Sequence, residues 1–274
     1  MRRHSELCTP HSALGVAFAI LFALVLAAPA AAQRNRDRDR DRDWDQDEGP
    51  RETETVERTL SLGAGGTVRL KTFSGRVNIT AGSGNQVVVK AVRRAPRARL
   101  DDIKLEITQN GNVVDIDANH RLVERRNNNV VETDFDIQVP AQAKLDLRTF
   151  SAPITVGGAG SDLIVDGFSS EVRLTDISGP VRVKTFSGGV HVAARSWKDG
   201  DDVTVNTFSG DVTLRLPDSA RGNITFDSFS GSFKSDLPVT LQSSDKRNFR
   251  GSLNGGGNTD FRLKTFSGDV SIQR

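Results

Sequence analysis

One short phrase recurs along this chain and constrains its fold more than any other feature. It is a Thr-Phe-Ser-Gly step, led in by alternating apolar residues and followed by another alternating run. It first occurs as Leu70-Lys71-Thr72-Phe73-Ser74-Gly75-Arg76-Val77. It returns around Phe150, Phe168, Phe186, Phe208, Phe229 and Phe266. From Phe150 onward the phenylalanines are 18, 18, 22, 21 and 37 residues apart. The last interval corresponds to two periods, with Phe249-Arg250-Gly251 as a degenerate copy between them. A half-copy, Ile177-Ser178-Gly179-Pro180-Val181, lies midway between Phe168 and Phe186. A period near twenty residues, rich in Val, Ile, Leu and Thr, is the mark of a stacked β-solenoid.

The phase of the alternation shows how each period is bent. Val68, Leu70 and Thr72 share one strand face, while Val77 and Ile79 share a face of opposite parity. The same flip separates Val203, Val205 and Thr207 from Val212 and Leu214, and Leu263 and Thr265 from Val270 and Ile272. One extra residue therefore sits at the Ser-Gly step, where glycine can take a positive φ and act as a bulge or corner. Each period is two short strands with both apolar faces turned to one interior. About five apolar side chains cannot offset the ordering of some twenty backbones, so one period cannot stand alone and must stack.

Ahead of the regular repeats, residues 58–143 form a strand-rich portion. Thr67–Leu70 and Gln86–Val89 alternate as strands. Leu105–Thr108 runs through Gln109-Asn110-Gly111-Asn112 into Val113–Ile116, a hairpin pattern. Arg97–Asp102 fits one helical turn, Asn127-Asn128-Asn129 a loop, and Phe135–Val139 a strand stopped by Pro140. Residues 144–274 carry the solenoid repeats. The fold class expected is all-β, a parallel β-solenoid of β-helix type with a strand- and hairpin-rich N-terminal portion.

Residues 1–32 resemble a secretory signal peptide. Arg2 and Arg3 precede an apolar run from Leu14 to Ala28, and Ala30-Ala31-Ala32 offers small residues for cleavage before Gln33. The apolar run is shorter than the ~20 residues of a membrane span. An exported protein in the periplasm, at the cell surface or outside the cell is expected, with no stable span after cleavage. The single cysteine, Cys8, would leave with the leader, which removes disulfides, thiolate metal sites and a cysteine nucleophile. Residues 33–57 alternate Arg and Asp with little to bury except Trp44, and a disordered spacer is expected. A tether to an anionic envelope polymer is the alternative for this segment. The leader holds two arginines and one glutamate, so its loss takes the formal charge from +2 to +1. That near-neutrality argues against a nucleic-acid binder.

Few side chains suggest chemistry. His120 and His191 are the histidines beyond the leader, and no His-Glu-x-x-His, Gly-x-Ser-x-Gly or phosphate loop occurs. Gly157 to Val165 matches one copy of a calcium nonapeptide. Asp162 is thus the one metal candidate, but a Gly-rich turn is the better reading, because such rolls share each ion between adjacent copies. Asp211 and Asp269 follow Ser-Gly, but the copies between them lack a carboxylate there, so the acidic cluster of a polysaccharide-cleaving β-helix enzyme is not built. No catalytic residue and no cofactor is assigned.

The recurrent Ser-Gly-Asp-Val, as at Ser209–Val212 and Ser267–Val270, resembles a bacterial family of unknown function whose members are named putative adhesins. So does the lead-in Ile137-Gln138-Val139-Pro140 before the repeats. The resemblance spans roughly Glu57 to Arg274 and implies a repetitive β-solenoid, in some members connected with envelope stress. It supplies no catalytic residues. The phenylalanine before Ser-Gly in nearly every copy is a departure from what such a family would show.

That phenylalanine series is the candidate site. By parity Thr72 faces inward and Phe73 outward, and Phe186, Phe208 and Phe266 follow the same rule. Phe73, Phe150, Phe168, Phe186, Phe208, Phe229 and Phe266 should form a ladder with a spacing of ~4.8 Å, flanked by Lys71, Lys184 and Lys264. One reading is a structural ladder tucked into a corner or covered by the N-terminal strands. The other is an exposed stripe for a protein partner, an envelope polymer or self-association. The absence of tyrosine tilts the expectation away from glycans. Three functions follow: an adhesin-type binding scaffold of the envelope or surface, an envelope-stress accessory protein docking a regulatory partner, and, last, a polysaccharide-active enzyme.

Overall fold

Strict alternation of Val, Ile and Leu with polar residues makes strands that bury one face, and here two such faces meet. In the computed structural model, which describes residues 49–121, 130–245 and 247–274, the strands form two sheets. Each regular coil contributes one strand to each. The strands that carry the phenylalanines are β2 (Thr67–Ser74), β8 (Lys144–Ser151), β10 (Leu163–Ser169), β12 (Val181–Ser187), β14 (Val203–Ser209), β16 (Gly222–Ser228) and β20 (Asp260–Thr265). Phe229 and Phe266 lie just past the ends of β16 and β20. Their continuations past the corner are β3 (Val77–Gly82), β9 (Ile154–Gly157), β11 (Val172–Ile177), β13 (Val190–Ala194), β15 (Val212–Arg215), β17 (Phe233–Ser235) and β21 (Val270–Gln273). All neighbours within these two sets pair in parallel. The inner faces supply the core: Val183 and Val205 on one side and Val190 and Val212 on the other are buried. The parallel solenoid expected from the repeat is the fold observed.

The remaining strands close the ends. At the N-terminal end β6 (Val113–Arg121) lies parallel to β2, and β7 (Glu132–Pro140) lies parallel to β3. The hairpin partner of β6 is β5 (Ile103–Asn110), antiparallel and turned at Gly111 with φ 58°. β4 (Gln86–Pro96) pairs antiparallel with β7, and β1 (Arg51–Ser61) antiparallel with β4. The helical turn expected at Arg97–Asp102 is α1, over a small cluster of Ala95, Leu100, Ile103 and Val131. At the other end β18 (Val239–Ser244) and β19 (Asn248–Leu253) form an antiparallel hairpin against β16. Antiparallel strands thus end the 11-stranded sheet on both sides and the 10-stranded sheet on its N-terminal side, its other edge being the parallel strand β17. β1, an outermost strand, carries Arg51, Glu52, Glu54, Glu57 and Arg58, charges that discourage pairing with another sheet edge.

Coil order in space departs from coil order in the chain at both ends. The first coil, β2–β3, is inserted between β6–β7 and β8–β9. The last coil, β20–β21, is inserted between β14–β15 and β16–β17. This corrects the reading of Phe249-Arg250-Gly251 as a degenerate coil. β19 runs antiparallel to β16 and sets Phe249 opposite Phe226, so Phe249 is buried in an aromatic cluster with Phe226 and Phe233.

The boundary placed at 57/58 also shifts. Residues 51–57 belong to β1, where Glu54 pairs with the buried Arg93 of β4, whose guanidinium also donates to the Ile103 carbonyl. Burial of that arginine requires an acidic partner, and β1 supplies it. The expected leader, the spacer up to residue 48 and the loop at Asn127–Asn129 lie outside the described residues.

Candidate functional site

Each repeat phenylalanine is the last outward-facing residue before the corner, between a buried Thr or its equivalent and the exposed or half-exposed serine. In-register parallel pairing then stacks the rings. The order along the stack is Phe73, Phe150, Phe168, Phe186, Phe208, Phe266, Phe229, with centroid steps of 4.5 to 4.9 Å and interplanar angles of 2 to 15°. The ladder is about 29 Å long, six strand spacings. Its rings are 39 to 64% exposed. Together they show the surface of about three whole phenylalanines, roughly 600 Å² at ~200 Å² each. That is at the top of what a monomer's largest apolar patch ordinarily reaches.

Beneath the rings runs a row of buried hydroxyls. Thr72, Thr149, Thr185, Thr207 and Thr265, with Ser228, occupy the inward position before each phenylalanine. Thr72 and Thr185 donate to the carbonyls of Ser74 and Ser187, holding the corner. One coil swaps the motif. Gly167 stands where the others have Thr or Ser, and Ser170 stands where the others have Gly or, after Phe150, Ala152. A Cβ on Gly167 would lie 2.9 Å from that of Ser170, so the serine fills the vacated space. Its hydroxyl meets the Thr149 hydroxyl at 2.8 Å.

The corner glycine is required by close approach of the neighbouring coil, to which Gly188 adds a positive φ: a Cβ on Gly188 would stand 2.2 Å from the Ser170 carbonyl oxygen. Gly188 takes a φ of 127°, as the sequence pattern suggests. Gly210 does not have a positive φ. A Cβ there would stand 2.1 Å from the Gly188 carbonyl oxygen, so close approach of the neighbouring coil excludes any side chain. Asp211 and Asp269, weighed above as catalytic carboxylates, serve that same corner. An Asp211 oxygen accepts from the Asp269 amide at 2.9 Å, and an Asp269 oxygen accepts from the Ser232 amide and hydroxyl at 2.9 and 2.8 Å. The bonds from the Ser232 amide and hydroxyl, with Lys234 nearby, lower the Asp269 carboxyl from its ordinary value. Nothing in a bare Ser-Gly-Asp-Val string shows that each aspartate bonds to the coil above.

On the strand side of the ladder lies a second row, two residues before each phenylalanine. It reads Lys71, Arg148, Asp166, Lys184, Asn206, Lys264, Asp227 in stack order. Lys71, Lys184 and Lys264 are therefore brought beside the ladder, as expected. Lys264 pairs with Asp227 at 3.2 Å. Between this row and the rings of Phe186, Phe208, Phe266 and Phe229 runs an open groove of about 630 Å³. Asp162 lies elsewhere, on the turn before β10, where its carboxylate pairs with Lys144 at 3.1 Å. Among the described residues no three His, Cys, Asp or Glu side chains gather as a metal site.

Stacking decides what the ladder can touch. A phenyl ring is negative on its face and positive at its rim. Interior rings have both faces covered by neighbours, so only their C–H rims meet solvent. Cations and sugar rings that dock on an aromatic face have access only to the outer face of the end ring Phe229, since Phe73 at the other end is no more exposed than the interior rings.

Two parallel-rich sheets joined by Gly-cornered bends, with no closed barrel, define an all-β solenoid-like domain. The family model Toastrack DUF4097 matches residues 63–273, and the chain belongs to that family. This agrees with the resemblance to a family of unknown function. No curated protein matches the chain. Among solved structures it is similar to a putative cell adhesion protein from Clostridium sporogenes, 12% identical, covering 80% of this chain and 99% of that one with a TM-score of 0.45. It is also similar to a putative adhesin from Bacteroides fragilis, 10% identical over 80% and 97% of the two chains with a TM-score of 0.38. No helix among the described residues is long and apolar enough to cross a membrane.

Proposed function

We propose that this protein is an exported, non-enzymatic scaffold of the cell envelope or surface, adhesin-like in role, that docks a protein or an envelope polymer along its phenylalanine ladder. The carrying observation is the continuous file of seven half-exposed rings, which a monomer would otherwise leave in water at the full hydrophobic cost. Export rests on the leader-like start of the sequence. Lys71, Lys184 and Lys264 add a salt-sensitive attraction for acidic groups. Ring rims favour aliphatic and carbonyl-rich partners over sugars, in keeping with the absence of tyrosine.

The test compares the protein with its Phe186→Ser, Phe208→Ser, Phe266→Ser variant for thermal unfolding and for binding to isolated envelope fractions. Binding reduced roughly tenfold or more with the fold retained supports the reading. Undiminished binding by a folded variant sinks it and moves the search to the loops.

A further inference from the structure

The partner of the ladder is constrained by its pitch. Ring rims repeat every 4.5 to 4.9 Å along the stack. An extended peptide laid along the ladder presents same-face side chains about 6.7 Å apart and falls out of step within two residues. Another file of side chains borne by stacked strands repeats at the same spacing and stays in step over the whole length. The chain itself carries such a file, with a groove beside the rings of Phe186, Phe208, Phe266 and Phe229 along which a second file can lie.

Charge points the same way. The row on the strand side of the ladder holds Lys71, Arg148, Lys184 and Lys264 against Asp166 and Asp227, and is net basic. The row just past the corner holds Glu171, Asp211 and Asp269 against Arg76, and is net acidic. The ladder thus divides a basic flank from an acidic one. A two-fold axis parallel to the stack keeps each coil level with its own copy and reverses the strand direction. It lays the basic flank of each protomer against the acidic flank of the other, with Lys264 level with Asp269. An axis across the stack instead sets Lys184 against Lys184 and Arg148 against Lys264.

We infer that the ladder pairs with a second copy of this chain, ladder against groove, about a two-fold axis parallel to the stack. This rests on the reading of the ladder as a docking surface. Roughly 600 Å² of ring surface with the two flanks approaches the ~800 Å² per partner of an ordinary stable interface.

The experiment has two arms on the purified full chain in a Cys8→Ser background. Sedimentation should give a two-protomer mass at about 100 μM, and the Lys184→Glu variant, at an exposed position, should dissociate roughly tenfold more readily with unchanged thermal unfolding. For the second arm, Ser151 and Ser267 are exposed beside the second and sixth rings. Under the parallel axis Ser151, just past its ring, lies level with Arg148 of the second copy, so a mixture of Ser151→Cys and Arg148→Cys protomers should be joined by a short bismaleimide crosslinker. A one-protomer mass with no such crosslink overturns self-pairing. It leaves the docking reading to stand or fall on whether the triple Phe→Ser variant still binds envelope fractions. Links formed only between Ser151→Cys and Ser267→Cys overturn the parallel axis.

Discussion

Truncating single rings of the ladder measures how much of each phenylalanine belongs to the fold. Phe186, in the middle, is 46% exposed, and Phe229, at one end, is 64% exposed. At ~200 Å² per residue the covered areas are about 110 and 70 Å². At ~25 cal/mol per Å² these correspond to about 2.7 and 1.8 kcal/mol. Alanine keeps the backbone and Cβ share of that cover. Phe186→Ala bares the faces of two neighbouring rings, whereas Phe229→Ala bares one.

The expected losses are therefore about 2 to 3 kcal/mol for Phe186→Ala and about 1 kcal/mol for Phe229→Ala. For a domain of this size they correspond to melting-temperature drops of roughly 5–10 °C and 2–4 °C. Urea unfolding followed by far-ultraviolet circular dichroism would measure both. Equal losses, or a larger loss at Phe229, would refute the stacked order. Losses near zero at both positions would mean that the rings do not stack in solution.

Three further changes test the corner, and a fourth, Gly82→Ala, tests a glycine away from it at the far end of β3. Gly210→Ala forces a Cβ against the Gly188 carbonyl and should cost about 3 kcal/mol, the upper part of the overpacking range. Gly82→Ala, whose Cβ would meet nothing closer than 4.0 Å, should be neutral or slightly stabilising in the same unfolding assay. Gly167→Thr should lose about 1–3 kcal/mol against Ser170, and Ser170→Gly in the same chain should recover most of it, read as the coupling of a double-mutant cycle. Asp269 has a lowered folded pKa, so its contribution is fully present above the ordinary value of ~3.9 and is lost as pH falls through the folded value. Acid unfolding profiles should show that Asp269→Asn lacks this component, and identical profiles would remove the corner carboxylate from the account.

Much of the coil was legible because it depends on local parity. Thr72 in, Phe73 out and Val77 in follow from strand alternation with one extra residue at the bend, and the structure places them so. The hairpin at Gly111 and the helical turn at Arg97–Asp102 were legible for the same local reason. The corner glycine was half legible. A positive φ at Gly188 was readable from the bend, but the approach of a carbonyl one coil away, at both Gly188 and Gly210, is something local sequence does not report. Phe249 was misread because Phe-Arg-Gly mimics the repeat. Asn248 precedes it where the regular copies have Thr, and antiparallel pairing with Phe226 turns it inward.

Coil order was not legible at all, and it governs the candidate site. The strands β16 and β20 offer nearly interchangeable inner faces, Ile224 and Phe226 against Phe261 and Leu263. Local patterning cannot say which of them stacks on β14. Stacking in chain order would place the β18–β19 hairpin, joined to β16, between Phe229 and Phe266. The ladder would then break after six rings. Insertion of β20–β21 beside β14–β15 moves the hairpin to the end of the sheet and leaves all seven rings continuous. The exchange of two similar coils, close to neutral for the core, thus yields both an end capped by antiparallel strands and an unbroken outer file. A protein that needed only its core would gain nothing from the second of these, which is why the ladder, rather than any single loop, is the surface on which function should be sought.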